Sequence, residues 1–319
     1  MHKYILKRIL MLIPVLIGVT FLVFFIMALR PGDPAVIILG DGATDEAVAQ
    51  LRKELSLDDP LIVRYGKYMK DLLRGDMGVS YRNQLDVKEQ VLDRFPNTVL
   101  LAVTGMVVAL LIGIPVGILS AKKQYTLVDR ISMVGALIGV SMPNFWFGLV
   151  VVMFFSLRLG LLPSSGMGEG FVEMLKSLVL PALTLGTGAA ATVTRMTRSS
   201  MLEVIRQDYI STARSKGIKE SQVTHRHMFK NALIPIITVV GLQFGYLLGG
   251  AVLTETVFSW PGLGRFMVEA IKTKDTPVVL GTVIFMSVVF SIVNLVVDIL
   301  YAFVDPRIKS QYSTGKGVK

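Results

Sequence analysis

The sequence predicts an all-α integral membrane protein with six transmembrane helices and both termini in the cytoplasm. Three observations carry that expectation. Of 319 residues, 52% are hydrophobic and only 18% charged, against about 25% charged in average soluble domains, and the mean hydropathy is +0.61. Six charge-free apolar runs match the roughly 20 residues that a helix needs to cross a bilayer. The basic residues are also spread unevenly between alternate connections. Together these argue against an ordinary soluble enzyme and against disorder, because apolar surface is plentiful. With no cysteine, a disulfide framework and thiol chemistry are both excluded.

The runs are 9–29, 99–121, 131–157, 177–194, 232–254 and 277–297, of 21, 23, 27, 18, 23 and 21 residues. The first follows Lys3, Lys7 and Arg8, as a signal peptide would. Its apolar stretch is too long for one, and Arg30-Pro31-Gly32-Asp33 is no small-residue cleavage site, so it reads as a retained helix. The fourth run is the shortest and is rich in small residues, including Gly186, Gly188 and Ala189 to Ala191. It is expected to continue past Arg195 as a helix leaving the membrane.

Charge placement orients these spans. With the N-terminus inside, segments 1–8, 122–130, 195–231 and 305–319 hold 3, 3, 8 and 4 basic residues. The short outside loops 158–176 and 255–276 hold 2 and 3, and the long outside segment 30–98 holds 10, offset by 12 acids. The inner face is thus +13 and the outer face −2, with Asp298 in the last span supplying the remaining charge of the +10 total. The basic excess is a topology signal. Nucleic-acid binding would need a basic soluble domain, which the sequence lacks.

Segment 1–97 is read as the first span plus an extracytoplasmic helical region. Asp59-Pro60 is a candidate N-cap and first position for a helix over 61–74, with Gly75 as its stop. Asp86 with Glu89 resembles a capping box opening a helix toward Arg94. A lid over the bundle and a partner-docking role are equally compatible with this region. Segment 98–306 forms the five-helix remainder and 307–319 a polar cytoplasmic tail. The pairs Gly113/Gly117, Gly135/Gly139, Gly241/Gly245 and Gly245/Gly249 have the four-residue spacing that lets helix backbones approach. Pro115 and Pro143 lie inside spans, where they can bend a helix.

No residue constellation for catalysis, and no metal site, is found. The phosphate-binding Gly-x4-Gly-Lys-Ser/Thr is absent, since Gly315-Lys316-Gly317 lacks the upstream glycine. His225-Arg226-His227 places its two imidazoles on different helix faces and reads as a solvated surface. No Gly-x-Ser-x-Gly elbow occurs. Asp298 sits within two turns of the inner boundary, where arginine or water can neutralise it. Without carboxylates at mid-span, a proton relay has no carriers.

The connection 195–231 is the most informative. At 37 residues it is long for a simple link. Met201, Leu202, Val204, Ile205, Tyr209, Ile210 and Ala213 recur at helical spacing. Ser200 is a candidate N-cap with Glu203 three residues on, and Lys216-Gly217 forms a basic last turn with a C′ glycine. A second short helix starts near Ser221. From the residues alone, a helix lying on anionic lipid and a docking element for a cytosolic partner weigh equally.

The run Asp208-Tyr209-Ile210-Ser211-Thr212-Ala213-Arg214-Ser215-Lys216-Gly217 continues to Arg226-His227 and Asn231-Ala232-Leu233-Ile234-Pro235. It resembles the Glu-Ala-Ala…Gly loop of permease subunits of ATP-binding-cassette (ABC) importers, more narrowly the first of the two permeases in the oligopeptide/dipeptide (peptide/nickel) branch. Ser211-Thr212-Ala213 stand where the generic loop has Glu-Ala-Ala, and Gly217 to Pro235 is longer than its generic spacing. The peptide branch shows those same departures. Further segments agree along the whole chain: Arg30-Pro31-Gly32-Asp33-Pro34, Gly75-Asp76-Met77-Gly78-Val79-Ser80, Ser141-Met142-Pro143-Asn144-Phe145-Trp146, Thr197-Arg198-Ser199-Ser200-Met201, Phe258-Ser259-Trp260-Pro261-Gly262-Leu263-Gly264-Arg265 and Asp305-Pro306-Arg307.

The resemblance implies a type I importer permease fold in the cytoplasmic (inner) membrane and no enzymatic activity in this chain. It implies pairing with a second, similar permease, two cytosolic ATPases that hold the ATP and Mg²⁺, and an extracytoplasmic solute-binding protein. Tyr209, Ala213, Lys216 and Gly217 would couple to the ATPases. Met142, Asn144, Phe145 and Trp146 would line the translocation path, with ordinary helix packing as the competing role. Trp260, Pro261 and Arg265 would meet the binding protein. The expected cargo is di- or oligopeptides, with nickel chelates or glycosides as alternatives within the class. A stand-alone secondary carrier is the competing class, and a membrane-embedded enzyme the third.

Overall fold

The computed structural model describes residues 2–29, 32–40 and 42–304. Asp298 has a described backbone only, and its expected neutralisation, like the Arg30-Pro31 and Asp305-Pro306-Arg307 motifs and the 307–319 tail, lies outside the described residues. The chain folds into α1 (His2–Ala28), α2 (Pro34–Leu39), α3 (Asp45–Glu54), α4 (Leu61–Leu73), α5 (Val87–Lys122), α6 (Leu127–Ser141), α7 (Asn144–Val151), α8 (Phe171–Ile205), α9 (Asp208–Ser215), α10 (Glu220–Gln222), α11 (Lys230–Val257), α12 (Leu263–Lys272) and α13 (Thr276–Val304). Two π-helical stretches, Val152–Arg158 and Val223–Phe229, extend α7 and join α10 to α11. Among the described residues no strand forms beyond one bridge between Val79 and Asp86.

Among the described residues, five helices are long and apolar enough to span a membrane: Leu10–Ala28, Val87–Lys122, Phe171–Ile205, Glu220–Val257 and Thr276–Val297. The sixth expected span, 131–157, is not one helix. Leu127–Ser141 and Asn144–Arg158 meet at 104°. Pro143 forces Met142 out of the helical region, and both residues are extended, at φ −77°, ψ 128° and φ −62°, ψ 128°. The expected bend is therefore a break.

Two compact units form, one of Thr98–Trp260 with residues 292–304, the other of His2–Asn97 with Pro261–Ser291. Within the first unit α8 packs against α6, α7 and α11, and 72% of its most apolar stretch is buried. The shortest, least hydrophobic run is thus the most enclosed span. Small residues are what such a position requires. A Cβ on Gly186 would stand 2.5 Å from the Gly105 carbonyl oxygen, one on Gly113 2.9 Å from that of Ala190, and one on Gly117 2.8 Å from that of Thr194. Backbone is therefore in contact with backbone or side chain along this seam. Of the other glycine pairs, Gly139 meets Ala191 and Gly241 meets Val297, whereas Gly135 and Gly249 face open space.

The expected helix start at Ser200 is overturned. α8 runs unbroken to Ile205, and Ser200 lies on its buried side with its hydroxyl 3.6 Å from the Met196 sulfur. The chain breaks later, at Arg206-Gln207, where Gln207 turns extended to start α9. The short helix expected near Ser221 likewise does not end, but continues through the π-helical stretch into α11.

In the second unit the capping residues set the element starts. The Asp33 carboxylate accepts from the Ala35 N–H at 2.9 Å, and Thr44 Oγ1 from the Ala47 N–H at 3.3 Å. Asp59 caps nothing. It pairs with Lys67 at 2.7 Å while Pro60 stands at the cap of α4. Asp86 accepts from the Glu89 N–H at 3.0 Å, the first half of the expected box, and the helix so opened runs to Lys122. Buried Asp275, just before α13, accepts from Ser80 Oγ at 2.5 Å and the Tyr81 N–H at 3.1 Å. Around it Val87, Val91, Leu263, Ala270 and Val278 form the core.

Candidate functional site

The candidate coupling residues lie on an elbow between α8 and α11. Ile210 and Ala213, three apart on α9, are buried against Met201, Val204, Val223 and Met228. The helix ends in a Schellman arrangement: the Gly217 N–H donates to the Arg214 carbonyl at 2.9 Å and the Ile218 N–H to that of Ala213 at 3.4 Å. Gly217 has φ +74°, the left-handed conformation that glycine adopts without strain. Ile218 packs on the same core, and Arg214 forks onto Glu220 through Nε and Nη2 at 3.2 and 2.9 Å. The corner is closed from both sides.

This geometry divides the four expected residues. Tyr209 (44% exposed), Lys216 and Gly217 face outward. Ala213 faces inward, so its smallness serves packing within this chain. Ser211 and Thr212 complete the exposed face. A Cβ at Gly217 would meet nothing within 4 Å, so it meets no steric obstacle within this chain.

Beside the elbow is a cluster that sequence reading missed. Asp129, 4% exposed, accepts from Arg198 Nε at 2.6 Å and Nη2 at 2.8 Å, from Ser120 Oγ at 2.5 Å and from the Tyr125 N–H at 2.9 Å. One carboxylate thereby ties the ends of α5, α6 and α8 together. In sequence Asp129 is one of five inner-face acids, and Arg198 stands 69 residues away, so no spacing pairs them. A second such group is Glu255, counted with the outer loop yet 0% exposed. Its carboxylate accepts from Thr98 Oγ1 at 2.7 Å.

The candidate path residues surround the α6–α7 break. Met142, Phe145 and Trp146, with Leu137, Ile138 and Ser141, line an open apolar hollow of about 550 Å³. Asn144 is not among them. Its amide oxygen lies against α8, where a Cβ on Gly188 would be 3.1 Å away. The expected polar group beside the aromatics is therefore turned to the helix behind it.

The candidate binding-protein residues also separate. Trp260 is 0% exposed, and its backbone N–H donates to the Glu255 backbone carbonyl at 2.8 Å. It fixes the loop after α11 and offers no accessible face. The Pro261 carbonyl accepts from Asn97 Nδ2 at 3.0 Å, and Arg265 pairs with Glu269 at 2.8 Å on an exposed face of α12. Among the described residues no group of three or more His, Cys, Asp or Glu could hold a metal ion.

Residues 113–310 match the family described as binding-protein-dependent transport system inner membrane component, and residues 1–102 match its N-terminal family. The chain belongs to this family. This transport-system membrane component is 45% identical to the dipeptide transport system permease protein DppB of Alkalihalophilus pseudofirmus, covering 97% of this chain and all of that one. It is 41% identical to DppB of Escherichia coli and 42% identical to the glutathione transport system permease protein GsiC of Salmonella paratyphi A, each over 97% of this chain and 99% of the relative. An inward-facing methionine ABC transporter structure, MetNI, superposes with a TM-score of 0.57 at 18% identity, covering 68% of this chain and 96% of that one. That likeness establishes the ABC importer permease fold. The chain is thus a multi-pass membrane component whose relatives are permeases, not ATPases.

Proposed function

We propose that this chain is the first of two permeases in an ATP-driven importer that receives short peptides from an extracytoplasmic binding protein. The full-length likeness to two dipeptide permeases supports the reading most directly. The similar likeness to a glutathione permease extends the cargo class to tripeptides. The chain sits in the cytoplasmic membrane with its basic loops inside. The elbow bearing Tyr209, Lys216 and Gly217 meets an ATPase, where ATP and Mg²⁺ are held, and its closed corner passes movement to α8 and α11 as a rigid body. Met142, Phe145 and Trp146 face the path that this chain shares with the second permease. Pro261 and Arg265 lie on the outer surface that meets the binding protein, with Trp260 as support.

Uptake of a radiolabelled dipeptide by cells with and without this chain tests the cargo. Loss of uptake on deletion, and competition by unlabelled di- and tripeptides but not by nickel salts, is expected. Uptake competed by nickel or a glycoside, and not by peptides, would overturn the cargo assignment and leave the importer class intact.

A further inference from the structure

The unit formed by His2–Asn97 and Pro261–Ser291 holds a cavity of about 410 Å³, within the roughly 300–1,000 Å³ of small-molecule sites. Its wall is fixed where α4 crosses α1. Tyr65 Oη donates to the Ile17 carbonyl at 3.0 Å and lies 2.7 Å from Thr20 Oγ1, and its ring meets that of Phe24 edge-on at 5.6 Å. The preceding residue, Arg64, stands over the same Phe24 ring, 5.8 Å from its centroid. Neighbouring cations are paired, Arg52 with Asp33 and Asp58 and Lys67 with Asp59. Arg64 is half-buried and has no carboxylate within ion-pair distance among the described residues. One turn on, the Tyr68 hydroxyl is buried without a partner, and burial pushes its pKa up, so it stays protonated and able to donate. Both side chains lie on the cavity wall. A guanidinium without a counter-ion and a buried hydroxyl without an acceptor are each costly, and one anionic group satisfies both.

The position of the cavity narrows the anion. Phe24 stands in the last turns of α1, and Thr276, Pro277 and Leu280 in the first turns of α13. These are the ends of two apolar spans, so the cavity lies at the depth of lipid headgroups. Tyr65, Tyr68 and Tyr81 gather there, the residue type enriched at that depth. Beside the cavity the apolar stretch of α1 is only 11% buried and leaves Phe21 and Phe25 exposed, a surface suited to acyl chains. Phe24, Leu57, Met77 and Leu280 make much of the cavity lining apolar. A free inorganic anion gains nothing from such surroundings, whereas a phosphate esterified to an acylated glycerol does. Glu54 and Asp71, also on the wall, are exposed and oppose a second negative charge, which favours a phosphodiester over a phosphate monoester.

We propose that this cavity seats the phosphodiester of a membrane phospholipid, its oxygens held by Arg64 and the Tyr68 hydroxyl and its acyl chains laid along α1. Arginine suits the role because its planar fork meets two phosphate oxygens at once. The site is independent of the cargo reading, since it engages the membrane around the chain and not the solute that passes.

Thermal unfolding of the purified full chain in detergent, titrated with dioleoylphosphatidylglycerol, tests it. A ligand of the folded state raises the midpoint as its concentration rises, so this lipid should do so while dioleoylglycerol and inorganic phosphate do not. Tyr68→Phe and Arg64→Gln should each need about tenfold more lipid for the same rise, as loss of one hydrogen bond to a charged group requires. Lys70 is an exposed cation of α4 outside the cavity wall, and Lys70→Gln should respond as the unchanged chain does. Tyr68→Phe removes a single oxygen, so it decides the matter even if Arg64→Gln folds poorly. An undiminished response of Tyr68→Phe would overturn the assignment. So would an equal effect of dioleoylglycerol, an effect of inorganic phosphate alone, or an equal loss in Lys70→Gln.

Discussion

Asp129 shows how much one side chain can carry. Its carboxylate takes four hydrogen bonds, from α5, from α8 and from the turn before α6, and only 4% of the residue is exposed. Removing one partner of such a pair leaves a buried charge unsatisfied, which costs about 3 kcal/mol or more. Arg198→Ala should therefore lower the thermal unfolding midpoint of the detergent-solubilised chain sharply. Asp129→Asn combined with Arg198→Gln should lower it less, because no bare charge remains. Equal losses for the single and double variants would mean that packing, not charge pairing, holds these helix ends. Gly186, Gly113 and Gly117 make the complementary point. Hydrogen at those positions is the only substituent that fits between α5 and α8.

At the scale of elements, the elbow between α8 and α11 combines a rigid inner face with an exposed outer one. Ile210, Ala213, Val223 and Met228 anchor it, and Gly217 turns it with a positive φ. A non-glycine residue there costs about 1–2 kcal/mol in backbone strain, which asparagine relieves in part. In the proposed coupling role, Gly217→Leu should leave membrane insertion intact, yet separate ATP hydrolysis from uptake in the assembled transporter. Gly217→Asn, with its smaller and conformationally tolerated side chain, should retain more coupling. Normal uptake by the leucine variant at normal protein level would count against docking at this corner. The α6–α7 break is the opposite kind of element. A proline within an apolar run ends one helix and redirects the next by 104°, presenting Phe145 and Trp146 at its outer bend.

For the molecule as a whole, the proposed role requires a component that moves only under the force of other subunits. Liposomes containing the purified chain alone should take up no dipeptide under a proton or sodium gradient. Uptake should appear only when ATPases, a second permease and a binding protein are supplied, and transport by the lone chain would reinstate the secondary-carrier reading. Much of this architecture is legible along the chain. Apolar run length reports the medium each segment occupies, and that medium acts on every residue locally. The α9 corner is legible too, because Lys216-Gly217 closes a local Schellman motif. What the chain order cannot show is which distant groups meet. Asp129 finds Arg198 across 69 residues, Glu255 is buried against Thr98, and the run read as the weakest span is the most enclosed one. Asn144 turns to α8 and Trp260 turns inside for the same reason. Hydropathy and spacing determined five of the spans and the corner by themselves. Only the tertiary structure decided which faces are buried and which charges are paired, because burial and ion pairing depend on contacts between segments remote in sequence.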